Sequence, residues 1–332
     1  MAPSWLRVLP FVLAAITPGC GGPLATGDAS ADSGSEASID ETNPDVATED
    51  TAVDDESIVD AADDVPSGDA GLVGSRPYNH RIPSSYNPAN PTPLVVLLHG
   101  YGASGAGQDL YFGLGTLSAR RGFLYAYPDG TIDASGSRFW NATDACCNFG
   151  HLPIDDVGYI TAIIDDMSAH YNVDPHRIYL IGHSNGAFMS HRMACELSNR
   201  VAAIVSLAGA VWSDMSRCTP TAPVSILDVH GDADTVIAYN GGALTGVSYP
   251  SEHDTLNGWA MRNGCTGTIA DTGMTLDIDT LIPGSETTIS AFATCPSAAV
   301  ELWTIHGGSH IPNLSTLWAG QIYDWLTAHP KP

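Results

Sequence analysis

The sequence predicts an α/β fold in which a mostly parallel β-sheet carries helices on both faces. From Arg76 onward, short apolar runs alternate with amphipathic helical patterns. The runs are apolar at consecutive positions, which is typical of strands that are buried on both sides. The 257 residues after Ser75 are enough for one such domain, and they contain no internal repeat.

The predicted elements alternate along the chain. Strands are expected at 94–100 and 123–130 and in the runs "RIYLIGHS", "AAIVSLAG", "VSILDVHG" and "VELWTIHG". Helices are expected near 106–120, in "DDVGYITAIIDDMSAHY", directly after "RIYLIGHS", and in the C-terminal "STLWAGQIYDWLTAH". The second helix places Ile160, Ile163 and Met167 on one face, with Asp155 or Asp156 as its capping residue.

Two segments precede this domain. Residues 1–20 combine one arginine, an apolar run and small residues, which predicts a secretory signal that is too short to span a membrane. The signal ends at Cys20 in a pattern that resembles a bacterial lipoprotein cleavage site, although Thr17 stands where such sites usually have leucine. We therefore expect an extracellular or cell-surface protein, with a lipid on Cys20 as a possible membrane tether and plain secretion as the alternative.

Residues 21–75 contain 15 acidic residues, no basic residue and no aromatic residue. Such a composition cannot bury enough apolar surface to fold, and it predicts a disordered acidic linker. The net charge of the whole chain is −25, of which −11 belongs to the residues from Arg76 onward. Neither part forms a basic stripe, so the composition argues against nucleic-acid binding.

The cysteines of the domain indicate disulfides rather than a metal site. Export to an oxidising compartment and an even number of cysteines favour pairing. Cys265 and Cys295 are the preferred pair, because they would close a Gly/Thr-rich segment. Cys146 and Cys147 could bond to each other or to Cys195 and Cys218. No metal-type C-x-x-C spacing occurs, and we expect neither a metal nor another cofactor.

The segment "LIGHSNGAF" places Ser184 in the pattern G-x-S-x-G, between a predicted strand and a predicted helix. This context is typical of a nucleophile elbow, in which a sharp turn lifts the serine hydroxyl above the edge of the sheet. A serine in an ordinary glycine-rich turn is the alternative. The strand and helix around Ser184 favour the nucleophile.

A serine nucleophile needs a histidine base and an acid that orients it. His310 lies in the glycine-rich "GGSHIPN" just past the last predicted strand, and we predict it as the base, with His306 as the second choice. Asp234 follows the strand "VSILDVHG" and is the predicted acid, while Asp232 would serve the turn. The backbone N–H groups of Asn185 and Tyr101 are predicted to form the oxyanion hole.

With these motifs, the chain resembles the α/β-hydrolase esterases that include feruloyl esterases and polyhydroxybutyrate depolymerases. The resemblance extends over nearly all of residues 76–332. It rests on "LVVLLHGYG", "DDVGYI", "VDPHRIYLIGHSNG", "HGDADTVIAYNGG" and the "WAMRNGC" stretch ahead of Cys295. It implies an α/β-hydrolase fold and a metal-independent serine esterase, with Ser184, Asp234 and His310 in the matching positions.

The sequence says less about the substrate. Trp140, Tyr101 and Tyr239 are candidates for contact with an acyl group or a sugar, and packing of Trp140 under a cysteine-stapled loop is an equal alternative. Depolymerase-like members usually have a tryptophan two residues after the histidine, where this chain has Pro312.

Four functions are therefore compared. The first is release of hydroxycinnamoyl (feruloyl) or other acyl groups from plant polysaccharide. The others are breakdown of a polyhydroxyalkanoate or related polyester, general short-chain esterase or peptidase activity, and a tethered binding domain without catalysis. The expected partner is thus a polysaccharide-linked or polymeric ester, and the sequence predicts no oligomeric state.

Overall fold

The computed structural model of the chain describes residues 71–74 and 76–332. The predicted signal segment, Cys20 and most of the predicted acidic linker lie outside the described residues.

The described residues contain fifteen strands, numbered in chain order: β1 (Gly71–Val73), β2 (Arg76–Tyr78), β3 (His80–Arg81), β4 (Thr92–Leu98), β5 (Leu124–Ala126), β6 (Thr131–Ile132), β7 (Arg138–Phe139), β8 (Val173–His183), β9 (Ala203–Leu207), β10 (Ser225–Gly231), β11 (Gly242–Leu244), β12 (Val247–Tyr249), β13 (Thr266–Leu276), β14 (Thr287–Thr294) and β15 (Val300–Ile305).

The same part of the chain forms six α-helices: α1 (Gly105–Phe112), α2 (Leu114–Arg121), α3 (Asp156–His170), α4 (Asn185–Glu196), α5 (Glu252–Arg262) and α6 (Trp318–Thr327). A short 3-10 helix covers Met215–Arg217. Among the helices described, none is both long and apolar enough to cross a bilayer.

Nine strands form the central sheet in the order β13-β14-β15-β10-β9-β8-β4-β5-β3. The six strands from β15 to β5 are mutually parallel, and they are the six strands that the sequence predicts. The two outer strands β13 and β14 and the opposite edge strand β3 are antiparallel to their neighbours. The predicted fold class, a mostly parallel sheet within an α/β-hydrolase architecture, is confirmed.

Each face of the sheet has its own apolar core. One core packs α3, α4 and α5 against the sheet and includes Ile160, Phe188 and Trp259. The other core packs α1, α2 and α6 against the opposite face and includes Phe112, Leu117 and Trp318. Helices therefore cover both faces, as the alternation of apolar runs and helical patterns predicts.

Several elements differ from the sequence-based expectation. The helix predicted near 106–120 is divided into α1 and α2 by Gly113, whose backbone is left-handed with φ of 72°. Residues 71–73 form β1, which pairs with β2, although the predicted linker extends to residue 75. The predicted linker therefore extends a few residues too far along the chain. A composition averaged over the whole acidic segment does not reveal a short apolar strand at its end.

The described cysteines form three disulfides, which confirms the prediction of disulfide bonds. They join Cys146 to Cys147, Cys195 to Cys218, and Cys265 to Cys295. The disulfide between Cys265 and Cys295 adjoins the paired residues Thr266 and Thr294. Thr266 is the first residue of β13, and Thr294 is the last residue of β14. The disulfide therefore closes the antiparallel hairpin at the edge of the sheet.

Candidate active site

Ser184 lies in the sharp turn between β8 and α4. Its backbone has φ of 53° and ψ of −120°. Residues other than glycine rarely adopt this conformation, so the surrounding structure must enforce it. Both neighbouring glycines are required by close backbone contact. A Cβ on Gly182 would lie 2.1 Å from the carbonyl oxygen of Gly186, and a Cβ on Gly186 would lie 2.0 Å from that of Leu98. The G-x-S-x-G pattern thus has a steric cause.

The structure brings Ser184, His310 and Asp234 together in one line of hydrogen bonds. The Nε2 atom of His310 is 2.9 Å from the Oγ atom of Ser184. The Nδ1 atom of His310 is 2.7 Å from Oδ2 of Asp234. Because Asp234 can only accept while ionised, Nδ1 carries the hydrogen and Nε2 is free to accept the serine proton.

The carboxylate of Asp234 is fully buried, and its oxygens are occupied by donors. Its Oδ1 atom accepts hydrogen bonds from the backbone N–H groups of Val236 and Ile237 at 2.7 and 3.0 Å. Burial opposes ionisation, but hydrogen bonds from His230, His310 and this backbone hold the pKa of Asp234 well below its usual range. Asp234 is therefore an anion at neutral pH and fixes the ring of His310 through Nδ1.

A second histidine of the site, His183 in the elbow, holds the loop that carries His310. The Nε2 atom of His183 lies 3.0 Å from the backbone carbonyl of His310 and donates to it. Burial lowers the pKa of His183 to about 3, so the ring is neutral at physiological pH. No local pattern in the sequence indicates this role of His183, because the contact joins residues that are 127 positions apart.

His306, the second choice for the base, lies in a different pair. Its Nδ1 atom is 2.9 Å from Oδ2 of Asp232, and both side chains are largely exposed. The other oxygen of Asp232 accepts the backbone N–H of Gly307. The pair therefore stabilises the turn between β15 and the His310 loop, and the geometry favours His310 over His306.

Both predicted oxyanion donors adjoin Ser184. Asn185 is the first residue of α4, so its N–H has no acceptor within the helix. A Cβ on Gly100 would lie 3.4 Å from Cβ of Ser184, which places the Gly100–Tyr101 peptide beside Ser184. Hydrogen bonds among the described residues leave the N–H of Tyr101 unused.

His99 orients that peptide. The backbone N–H of Gly130 donates to His99 Nε2 at 2.8 Å, so the ring hydrogen is on Nδ1, which lies 2.7 Å from the carbonyl oxygen of Gly100. In a planar trans peptide the carbonyl and the next N–H point in opposite directions. Holding the Gly100 carbonyl toward His99 therefore turns the Tyr101 N–H away from His99.

Of the two alternatives for Trp140, its surroundings favour packing over substrate contact. The side chain is 0% exposed, and its indole N–H donates to the backbone carbonyl of His99 at 3.0 Å. The backbone N–H and carbonyl of Trp140 both bond to the side-chain amide of Asn185. Trp140 thus supports the segments of both predicted oxyanion donors, and this packing requires burial of the indole.

The other two aromatic candidates have different surroundings. Tyr239 packs edge-on against His230, and its hydroxyl group is 2.9 Å from Oγ1 of Thr304, so these contacts do not support a role in substrate binding. Tyr101 is 39% exposed and contacts Phe149, which is 40% exposed. Phe149 lies 48 positions from Tyr101 in the chain, so no local pattern in the sequence indicates this contact.

The described residues contain no group of three or more His, Cys, Asp or Glu side chains that could hold a metal ion.

Comparisons with known proteins show which families and structures the chain is similar to. Residues 155–251, which include the elbow and Asp234, match the Phospholipase/Carboxylesterase family. The chain is 27% identical over 239 residues to feruloyl esterase B of Piromyces equi, covering 69% of this chain and 41% of that protein. It is also 27% identical over 253 residues to feruloyl esterase D of Neurospora crassa, covering 72% and 75% of the two chains.

The chain spans about half or less of the length of two relatives that it matches, 49% of one and 41% of the other. Among solved structures, the acetyl xylan esterase from Aspergillus awamori is similar with a TM-score of 0.54 and 17% identity, over 76% of this chain and 94% of that chain. At this identity the similarity supports the fold alone. The chain therefore has an α/β-hydrolase fold and is similar in sequence to feruloyl esterases.

Proposed function

We propose that the protein is a serine carboxylesterase in which Ser184 is the nucleophile, His310 the general base and acid, and Asp234 the residue that orients His310. The observation that carries this proposal is the line of contacts from Asp234 through His310 to Ser184, at 2.7 and 2.9 Å. The same three roles recur in serine hydrolases on unrelated folds, where they are recognised by geometry.

In the acylation step, the Oγ atom of Ser184 attacks the ester carbonyl carbon while its proton moves to Nε2 of His310. The carbonyl oxygen becomes an oxyanion, and the N–H groups of Tyr101 and Asn185 stabilise it. One such donor contributes roughly 3–4 kcal/mol to transition-state stabilisation. Collapse of the intermediate breaks the bond to the alcohol, which leaves with the proton from His310.

In the deacylation step, a water molecule gives a proton to His310 and attacks the acyl carbon. The second tetrahedral intermediate releases the acid, and the proton returns from His310 to Ser184. Asp234 remains ionised through both steps, because the hydrogen bonds that it accepts favour its charged form. The reaction needs no group beyond those of the chain and water.

For the substrate, we propose a hydroxycinnamoyl (feruloyl) ester or another acyl ester of plant polysaccharide. The names of the two fungal relatives support the feruloyl group. The exposed rings of Tyr101 and Phe149 lie 5.6 Å apart, and Tyr101 directly follows Gly100, whose backbone lies next to Ser184. An aromatic acyl group could pack against these rings in the offset or edge-on geometry that aromatic pairs prefer.

We further propose that residues 76–332 are the catalytic domain, extended by the strand at Gly71–Val73, and that residues 1–20 direct export. Three disulfides support an oxidising compartment. A lipid on Cys20 would tether the domain through the acidic segment. The unmutated protein should then partition with membranes, and Cys20→Ala should release it. A wholly soluble unmutated protein would indicate plain secretion.

The test compares hydrolysis of methyl ferulate with hydrolysis of a 3-hydroxybutyrate trimer, with Ser184→Ala as the blank. Release of ferulate that depends on Ser184 is the expected result. Release of 3-hydroxybutyrate alone would favour polyester breakdown. Absence of Ser184-dependent hydrolysis of any ester would favour a binding domain without catalysis.

Phe149→Ala tests the acyl subsite within the same assay. We expect kcat/KM for methyl ferulate to fall about tenfold, as for loss of one aromatic contact of about 1 kcal/mol or more. The value for p-nitrophenyl acetate should stay within about twofold, since an acetyl group does not reach a second ring. An equal loss for both esters would contradict the subsite.

A further inference from the structure

Asp234 contacts a second histidine in addition to His310. The Nε2 atom of His230, near the end of β10, lies 3.1 Å from Oδ2 of Asp234, the same oxygen that faces His310. The backbone carbonyl of Ile237 is 2.8 Å from the same nitrogen. Because both neighbours of this nitrogen are acceptors, His230 carries a hydrogen on Nε2 and shares it between them.

The opposite nitrogen of His230 faces a carboxyl group. The Oε1 atom of Glu252, the first residue of α5, is 2.5 Å from His230 Nδ1. His230, Glu252 and Asp234 all have buried side chains. A continuous series of contacts therefore runs from Glu252 through His230, Asp234 and His310 to Ser184.

The charge state of His230 follows from these neighbours. Burial alone would keep the ring neutral, but the charges and hydrogen bonds of Glu252 and Asp234 outweigh it and raise the pKa of His230 to about 10. Burial raises the pKa of Glu252 above its usual range, and His230 opposes that rise. We regard the pair as an imidazolium and a carboxylate, since each of the two ring nitrogens then donates to an acceptor.

The groups packed around His230 and Glu252 do not supply another positive charge in contact with Asp234. Asp228 of β10 and His191 of α4 interact electrostatically with Glu252. The His191 Nδ1 atom accepts the indole N–H of Trp259 at 3.1 Å, so its ring hydrogen is on Nε2, 3.2 Å from Asp228. The ring of Tyr239 covers His230 edge-on. Among these neighbours, His230 is the cation that contacts the carboxylate of Asp234.

Resting on the proposed function, we infer that Glu252 and His230 are positioning residues of the triad. Glu252 orients His230, and His230 fixes Oδ2 of Asp234 for His310 and places a positive charge next to the triad. Like charges repel, so this cation opposes protonation of His310 during turnover at low pH. The esterase should therefore remain active at a lower pH than it would with a neutral group at position 230.

The test is the pH dependence of kcat/KM for p-nitrophenyl acetate in the full chain and in Glu252→Gln. The acidic limb of this profile reports the essential base of the free enzyme. In the variant, an amide can donate to Nδ1 of His230, which then remains neutral. We expect the acidic limb to move upward by about one pH unit, with little change in KM.

His230→Gln removes the charge by another route and should move the limb in the same direction. Glu286→Gln is the matched control, because Glu286 is also buried and its Oε1 accepts the backbone N–H groups of Ile278 and Asp279. The control should lower thermal stability without moving the limb. An acidic limb at the wild-type position in a folded Glu252→Gln protein would overturn the inference.

A measurement on the unmutated protein covers the case in which both variants fail to fold. In ¹⁵N-histidine NMR at pH 8, we expect one buried histidine with both ring nitrogens protonated. Finding every histidine neutral at that pH would refute a charged pair. If the protein lacks Ser184-dependent activity, the proposed function fails, whereas this spectrum still decides the state of His230.

Discussion

At the scale of single residues, buried histidines hold the groups around Ser184: His183 donates to the carbonyl of His310, and His230 faces Glu252. Ser184, Asp234 and His310 each follow a strand in a recognisable motif, and chain order relates them. The contacts of His183 and Glu252 could not be predicted in this way. Each joins residues from separate elements, and no local periodicity encodes which buried polar groups will meet.

Trp140 illustrates a residue whose place was predictable and whose role was not. The sequence predicts that Trp140 lies in the loop after the second predicted strand. It does not distinguish contact with the substrate from packing in the core. The contacts of Trp140 favour packing, because the N–H groups and carbonyls of two neighbouring segments need partners once they are buried. The indole N–H supplies one of them, to His99.

Trp140→Phe tests this role. The change keeps an aromatic ring but leaves the carbonyl of His99 without its donor, which should cost about 1–3 kcal/mol of unfolding free energy in urea denaturation. Trp318→Phe is the control, since its indole N–H has no hydrogen-bond partner among the described residues, and its loss should be smaller. If Trp140 instead served substrate binding, KM would rise without this difference in stability.

At the scale of elements, the parallel strands and the helices between them were the most predictable part. Their apolar runs reflect burial on both faces, a signal that survives in composition alone. The strands β13 and β14 and the helix α5 were not predicted, and for β13 the reason is physical. The residues of β13 are mostly exposed, so this edge strand lacks an apolar run.

The elbow between β8 and α4 depends on steric fit of glycine. Gly182→Ala would place a methyl group 2.1 Å from a backbone oxygen, so either the turn or α4 must shift. We expect a loss of at least about 3 kcal/mol of stability and of all esterase activity. Gly320→Ala in α6 is the control, because a Cβ there meets no atom within 4 Å.

Helix propensity should make the control more stable by about 0.5–1 kcal/mol. Thermal unfolding of both variants measures the contrast. Equal stability of the Gly182→Ala variant and the wild type would mean that the turn has a different geometry in solution.

At the scale of the whole molecule, buried histidines make stability depend on pH in two directions. The pKa of His183 is lowered by burial to about 3, so its neutral form belongs to the folded state. The contribution of His183 to the free energy of unfolding is complete above about pH 6.5. It is lost as the pH falls from 6.5 to 3, because the unfolded chain then binds an additional proton. The raised pKa of His230 acts in the opposite sense, with stability lost as the pH rises toward 10.

We therefore expect maximal stability near pH 6.5. In His183→Asn, the unfolding free energy should fall less steeply between pH 6.5 and 4, by up to about 1.4 kcal/mol per pH unit relative to the wild type. Urea titrations at a series of pH values measure the two slopes. Identical slopes would mean that His183 titrates in the folded protein as it does in the unfolded chain.

The central claim is that Ser184 is the nucleophile of an esterase. The most direct measurement is mass spectrometry of the full chain after reaction with a p-nitrophenyl alkylphosphonate, which forms a stable bond to an activated serine. The account predicts one adduct per chain on the peptide that contains Ser184, no adduct in Ser184→Ala, and much slower labelling in His310→Ala. An adduct that persists in Ser184→Ala, or that maps to another residue, would contradict it.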